Sequence, residues 1–329
     1  MILVIGGAGY IGSHMAKWLL QHREEVLVLD NLEKGHRTAA ISSVLVEGDL
    51  RHRDDLNAVF GANPIECVMH FAAYASVGES VRTPAAYYEN NVVGCCNLLE
   101  AMRTHKVDKF IFSSSAAVYG EPVSVPIPED HPKNPTNPYG ETKWVMERML
   151  QWYGGAYGIR SISLRYFNAA GADPEGVLGE DHHPEEHLIP VALLAALGKR
   201  DKLRIFGTDW PTPDGTCIRD YVHVWDLADA HYRALQALRN GAKTTAYNLG
   251  NGRGFSVKEV IREAEKVTGR PVPAEAAPRR AGDPARLVAS SERIKKELGW
   301  SPRYPQLEVI IQHAWNWRKA HPDGYSRVK

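Results

Sequence analysis

Six short apolar runs punctuate the first half of the chain: ILVI (2–5), EVLVLD (25–30), SVLVEGD (43–49), CVMHFA (67–72), KFIFSSS (109–115) and SISLRYF (161–167). Between them lie GSHMAKWLLQ, DDLNAVFG, YYENNVVGCCNLLEAMRTH and YGETKWVMERMLQWYG, whose apolar residues recur at three- and four-residue steps. Runs without alternation are the mark of strands buried on both faces; the stepped pattern is that of helices with one apolar side. Regular strand–helix alternation predicts an α/β fold built on a doubly wound parallel sheet, with right-handed crossovers.

The texture changes near residue 170. NAAGADPEGVLGEDHHPEE is polar and rich in Gly and Pro, and the later elements are shorter and less regular. The expected division is residues 1–170 as the main domain and 171–329 mainly as a smaller α/β substrate domain, with TTAYNLG (244–250) returning to the main sheet. A length of 329 residues fits two such units.

Charge narrows the function classes. Lys+Arg and Asp+Glu are both 39, so no global field recruits nucleic acid or an anionic membrane, and any anion site is local. The apolar run IPVALLAAL falls well short of the ~18 residues of a membrane span. The start, MILVIGGAG, has no basic segment of the secretory kind. Four cysteines without a CxxC pattern read as reduced thiols, so a cytoplasmic enzyme or binding protein is expected.

The chemistry begins at VIGGAGYIGSH. Gly6, Gly9 and Gly12 follow the first strand and open the first helix. A dinucleotide fold of the Rossmann type needs glycine there for a tight turn, for backbone contact with the pyrophosphate and for close helix–strand packing. Asp30 ends the second strand, where a carboxylate accepts from both ribose hydroxyls and repels a 2′-phosphate. His36 and Arg37 lie nearby and argue for NADP, but the acid favours NAD. Asp49, closing the third strand, reads either as an adenine contact or as a solvated turn acid.

Tyr139 and Lys143 are one helical turn apart in PYGETK, behind the helix-start signal Asn137-Pro138. The inward stripe continues through Met146, Leu150 and Tyr153, so the polar pair points where the cofactor should lie. A phenol lowered by ~3 pKa units needs ~4 kcal/mol of phenolate stabilisation, which a lysine ammonium and an oxidised nicotinamide would supply. Such a tyrosine removes the proton of a substrate hydroxyl as hydride leaves the same carbon. Ser115, last of three serines at a strand end, is placed to hold that hydroxyl; Ser113 and Ser114 also read as closing the strand. A second YxxxK match, Tyr325…Lys329, lacks the helix start and the stripe and reads as accidental. In DHHPEEH, His183 and His187 are four apart among acids, but the proline and loop setting argue against a metal, and none is expected.

These residues resemble the extended short-chain dehydrogenase/reductase superfamily, and within it the UDP-glucose (UDP-galactose) 4-epimerases. GGAGYIGSH, LDNL, VEGDLR, HFAA, VGESV, YYENNVVG, FSSSAAVYG, NPYGETK, LRYFNAAGA, DGTCIRDYVHVWDLADAH, YNLGNG and RRAGD carry the likeness in order along nearly the whole chain. The resemblance implies catalysis by Ser115, Tyr139 and Lys143 with tightly held NAD. Around NAD it implies Gly6, Gly9, Tyr10, Ile11, Gly12, Asp30, Asn31, Asp49, Leu50, Phe71, Ala72, Ala73, Asn90, Ser113, Tyr139, Lys143 and Phe167. Around the UDP-sugar it implies Ser115, Tyr139, Asn168, His187, Leu188, Arg204, Phe206, Arg219, Arg280, Asp283 and Leu287. Arginines suit a pyrophosphate through paired guanidinium donors.

Ala75 stands where one well-known form has a cofactor-contacting lysine, and His187 replaces an asparagine. Ala116 and Ala117 stand where dehydratases of the superfamily carry Asp-Glu, so the expected reaction is reversible C4 epimerisation through a 4-keto sugar. The alternatives are epimerisation of UDP-GlcNAc, a UDP-pentose or a UDP-uronate, UDP-sugar decarboxylation, or NAD sensing without catalysis. Leu287 falls where relatives vary between tyrosine and small residues, which gates an N-acetyl group. Family analogy also implies a homodimer through the NNVVGCCNLLEAM and WVMERMLQWY helices.

Overall fold

The computed structural model of the protein describes residues 1–41, 43–280 and 283–325. Seven strands form one sheet in the order Thr245–Leu249, Arg160–Tyr166, Lys109–Ser113, Cys67–His70, Ile2–Ile5, Val26–Asp30, Val44–Glu47. Every neighbouring pair is parallel. All six strands read from the apolar runs are present, and 245–249 returns to the edge as expected. The chain winds outward from Ile2–Ile5 on one side and then crosses to Cys67–His70 on the other. That reversal opens a crevice beyond the carboxyl ends of these strands, the usual place for a ligand in such a sheet.

Strand side chains alternate between two apolar layers. Ile2, Val4, Val28, Met69 and Ile111 face the helices Tyr10–Gln21 and Val224–Arg239. Leu3, Ile5, Leu29, Val68 and Phe112 face Arg53–Ala62, Gly94–Thr104 and Pro138–Tyr157. The exception is Val44–Glu47, where Val44 is 64% exposed: an edge strand has one neighbour and is not covered on both faces.

The helix expected over YYENNVVGCCNLLEAMRTH is interrupted. Pro84–Tyr87 and Gly94–Thr104 are α-helical, and Tyr88–Val93 between them is a π-helical turn. Such turns recur at functional sites. Here it delivers Asn91, whose side chain bonds Tyr74 N (2.9 Å), Tyr74 O (3.1 Å) and Thr142 Oγ1 (3.1 Å). The helix carrying Tyr139 runs past Gly154-Gly155 to Tyr157 and stops at Gly158, which takes a left-handed φ of 75°.

A third apolar cluster gathers Ile189, Leu193, Val260, Ile310 and Trp315 from the helices Leu188–Ala196, Val257–Thr268 and Leu307–Ala320. Short strand pairs lie beside it: Asn168–Ala170 with Tyr221–His223, Leu203–Phe206 with Ala274–Ala277, and Ile218–Arg219 between Phe255–Ser256 and Arg286–Leu287. The segment after residue 171 is therefore divided, since Val224–Arg239, Ile294 and Trp300 pack in the layer of the main sheet. Among the described residues no helix is long and apolar enough to cross a membrane.

Candidate active site

The three glycines of the first turn differ in what surrounds them. Gly6 has φ +76°, and a Cβ there would lie 2.5 Å from Ala72 N, because the loop after Cys67–His70 presses against the turn. At Gly12 a Cβ would lie 2.2 Å from Gly6 O, so that glycine lets the helix sit on the turn. At Gly9 the nearest atom would be Gly6 O at 3.4 Å, an ordinary contact. The fold itself tolerates a side chain at Gly9; a ligand approaching the backbone would not. Tyr10–Gln21 starts at Gly9 with no side-chain cap and no acid in its first turn, leaving free N–H groups for an anion.

Asp30 is buried and accepts from Ala8 N (3.0 Å) and Leu32 N (2.8 Å), which orient its carboxylate at the lip of this turn. Burial raises its pKa against those two bonds. Neither nearby basic side chain is hydrogen-bonded to it. His36 Nε2 lies 2.9 Å from Asp181 O, and Arg37 pairs with Glu47. Asp49 is committed within the chain: Arg51 (2.9 and 2.5 Å) and Asn31 (2.9 Å) donate to it, and the Arg51 guanidinium holds it well below the usual carboxylate range. Leu50 is buried in the sheet layer, and Phe71 rests on the His231 ring with centroids 4.8 Å apart. Ala73 follows at the same strand end, and Asn90 donates to Asn91 Oδ1 (3.1 Å).

Tyr139 heads its helix under the Asn137 cap, whose Oδ1 accepts from Gly140 N at 2.9 Å. Gly140 was not singled out by spacing, yet a Cβ there would sit 2.6 Å from Ala117 O. It lets the helix start touch the turn after Ser115. The three serines separate by partner. Ser113 shares a short hydrogen bond with Tyr166, Ser114 Oγ donates to Glu147 Oε1 (2.5 Å), and Ser115 Oγ accepts from Ala117 N (3.1 Å). Ser115 faces the phenol: burial raises the Tyr139 pKa, and the Ser115 hydroxyl pulls it the other way.

The Lys143 ammonium is buried, donates to Ser113 O (2.9 Å) and lies 5.8 Å from the Tyr139 ring centroid. Burial lowers its pKa to about 8. The expected lowering of the phenol by this lysine is thus not a property of the chain by itself, because the ammonium is turned to a backbone carbonyl. Of the second YxxxK match, Tyr325 is buried with its hydroxyl on Gly179 O (3.2 Å), while Lys329 lies outside the described residues.

Toward the smaller unit, Ala116, Phe167, Trp144 and Leu287 share one apolar cluster beside Ser115. Asn168 Nδ2 donates to Asp220 O (3.0 Å). Arg219 donates to Pro284 O (2.8 Å) and stands 3.5 Å from Asp283, while Arg280 lies 3.7 Å over the Phe206 ring. Arg204 is exposed and leans on Glu275 at 3.7 Å. His187, next to Leu188, meets Glu180 at 2.5 Å rather than pairing with His183. Beside it, burial opposes charge on His182, but Glu180 and Glu185 push its pKa up to about 10.

Comparison with known proteins gives a consistent result. A family model described as the NAD dependent epimerase/dehydratase family matches residues 2–250. The UDP-glucose 4-epimerase of Halalkalibacterium halodurans is 57% identical, over 99% of this chain and 97% of that protein. A crystal structure of a UDP-glucose 4-epimerase at 55% identity covers 99% of both chains with a TM-score of 0.97. The UDP-glucose 4-epimerase of Bifidobacterium longum, solved with NAD+ and UDP, is 38% identical, covers 98% of this chain and 99% of its own, and has a TM-score of 0.93.

Proposed function

The chain belongs to the NAD dependent epimerase/dehydratase family, among the UDP-glucose 4-epimerases, and from that premise we propose that it interconverts UDP-glucose and UDP-galactose at C4. The observation that carries this reading is the meeting of Ser115, Tyr139 and Lys143 at the carboxyl end of the strand Lys109–Ser113, with Ala116 in place of an acid. Bound NAD supplies a hydride acceptor that returns what it takes, so no net reductant is consumed. Tyr139 takes the C4 hydroxyl proton, Ser115 holds that oxygen in line, and both act again when the 4-keto sugar is reduced on its other face. Lys143 fixes the strand end through Ser113 O.

Because burial holds the phenol high in the chain by itself, an oxidised nicotinamide bound at the first glycine turn would supply the positive charge that favours the phenolate. Asp30 receives the adenosine ribose, and Arg219 and Arg280 take the UDP diphosphate. The test is to mix the purified protein with UDP-galactose and no added NAD. UDP-glucose without net NADH is expected; stoichiometric NADH would sink the proposal and indicate a dehydrogenase.

Gly9→Ala separates ligand approach from folding. The thermal midpoint should move by only a few degrees, since the new methyl meets nothing closer than 3.4 Å. NAD retention should fall by about 10–100-fold, as for the loss of about 1.4–3 kcal/mol of binding. A stable variant that keeps its NAD would overturn the assignment of Gly9 to the pyrophosphate.

Leu287 sets the sugar preference. It packs with Ala116 and Phe167, so trimming it opens the wall beside Ser115. Leu287→Ala should raise the UDP-GalNAc to UDP-galactose ratio of kcat/KM by about tenfold; an unchanged ratio would show that the N-acetyl group lies elsewhere.

A homodimer through the Pro138–Tyr157 and Tyr88–Thr104 segments is part of this proposal. They leave Trp152 (72% exposed), Tyr157, Tyr88 and Val93 in solvent. Sedimentation should show a dimer that Trp152→Glu weakens, and a monomeric wild type would refute it. The described free thiols of Cys67, Cys95, Cys96 and Cys217 support a reducing compartment, the cytoplasm.

A further inference from the structure

The loop leading into the helix Leu188–Ala196 brings Glu180, His182, Glu185 and His187 together so that one donor atom from each lies within 4.8 Å of the others. His187 Nδ1 is 2.5 Å from Glu180 Oε1 and 3.8 Å from Glu185 Oε1. His182 Nδ1 is 3.3 Å from Glu180 Oε1 and 3.6 Å from Glu185 Oε2. Donors on a tetrahedral Zn2+, with bonds of about 2.0–2.2 Å, stand roughly 3.3–3.6 Å apart. Among the His–Glu spacings, both from His182 already match, that from His187 to Glu185 exceeds the range slightly and its contact with Glu180 must open, while the remaining pairs lie within 4.8 Å and close on the ion.

The cluster is also under-satisfied. The Glu185 side chain is 6% exposed, yet its Oε2 and the neighbouring His182 Nδ1 are enclosed without a hydrogen-bond partner among the described residues. Enclosed polar atoms without partners are costly, and each one calls for a physical reason. Two carboxylates balance a dication, two imidazoles suit a borderline transition metal rather than Mg2+ or Ca2+, and no thiolate is present to select Cu+.

We propose that Glu180, His182, Glu185 and His187 form a site for one divalent transition metal of the Zn2+ class, bound through Nδ1 of both histidines and an oxygen of each glutamate. The ligands are braced from outside: Arg318 donates to Glu180 O (2.5 Å), and Glu185 Oε1 accepts from the amides of Glu186 and His187 (2.9 Å each). The Tyr10 ring edge packs on His182, with centroids 6.3 Å apart. The metal cross-links the loop before Leu188, which meets the helix after the first glycine turn through this ring contact.

The test uses the full chain, stripped with chelator and titrated with Co2+. One Co2+ per chain with the intense visible absorption of tetrahedral cobalt is expected, displaced by Zn2+, and the thermal midpoint should climb with Zn2+ concentration. His182→Ala and Glu185→Gln, neither assigned to cofactor or sugar, should weaken Zn2+ binding by at least about 10–100-fold. Their metal-free circular dichroism should match that of the wild type. Absence of saturable Co2+ binding in the wild type would overturn the proposal, as would undiminished binding in both folded variants, which would place the metal on other histidines or on the thiols.

Discussion

Tyr139→Phe is expected to lower kcat by about a thousandfold or more, equivalent to roughly 4 kcal/mol of lost transition-state stabilisation. In the proposed mechanism the Tyr139 hydroxyl takes the C4 proton, and Ser115 is the hydroxyl that faces it. Ser115→Ala removes a single hydrogen bond to a developing charge and should cost less, about 10–100-fold. The two should not add, because each acts through the same oxygen of the sugar. UDP affinity of Tyr139→Phe should stay within about twofold of wild type, since Arg219 and Arg280 are untouched. The measurement is initial-rate kinetics on UDP-galactose beside UDP titration calorimetry. A variant that keeps a tenth of the wild-type kcat would remove Tyr139 from its assigned role, and a matched loss of UDP binding would show that the substitution disturbs the pocket instead.

What spacing made legible was whatever local rules govern. The unalternated strands, the Gly6–Gly9–Gly12 turn and the capped start at Asn137 each depend on a few neighbouring residues, and each stands where expected. The strand Val44–Glu47 misled because apolar content does not say that a strand lies at an edge. The π-helical turn at Tyr88–Val93 was hidden because its cause is distant: Asn91 answers to Tyr74 and Thr142. Gly140 was hidden for the same reason, its need set by Ala117 on another segment. In DHHPEEH the helical step of four drew attention to His183 and His187, whereas a loop obeys no such step and presents His182. The two YxxxK matches differ in context, since Tyr139 stands at the capped start of a helix with a buried stripe and Tyr325 follows the end of Leu307–Ala320.

The serine strand end rests on a buried ion pair that no spacing rule exposes. Arg165 and Glu147 have side chains 5% and 3% exposed and meet through two hydrogen bonds, at 2.9 and 2.5 Å. Arg165 also donates to Tyr119 Oη (2.7 Å), which donates to Asn248 (2.6 Å), while Ser114 donates to Glu147. Glu147→Ala leaves a buried guanidinium unpaired and should cost about 3–5 kcal/mol of stability, a fall of roughly 10 °C in thermal midpoint. Replacing both partners by apolar residues, as in Glu147→Met with Arg165→Met, removes the unpaired charge and should restore most of that stability. Ser114 still loses its acceptor in the double variant, and it sits between the carbonyl that holds Lys143 and the hydroxyl that faces Tyr139. The double variant is therefore expected to fold near wild-type stability and yet turn over at least about tenfold more slowly, with the loss in kcat rather than KM. Full recovery of kcat along with stability would reduce the ion pair to a packing element. A double variant as unstable as Glu147→Ala would show that the Tyr119–Asn248 network, and not the lone charge, sets the cost.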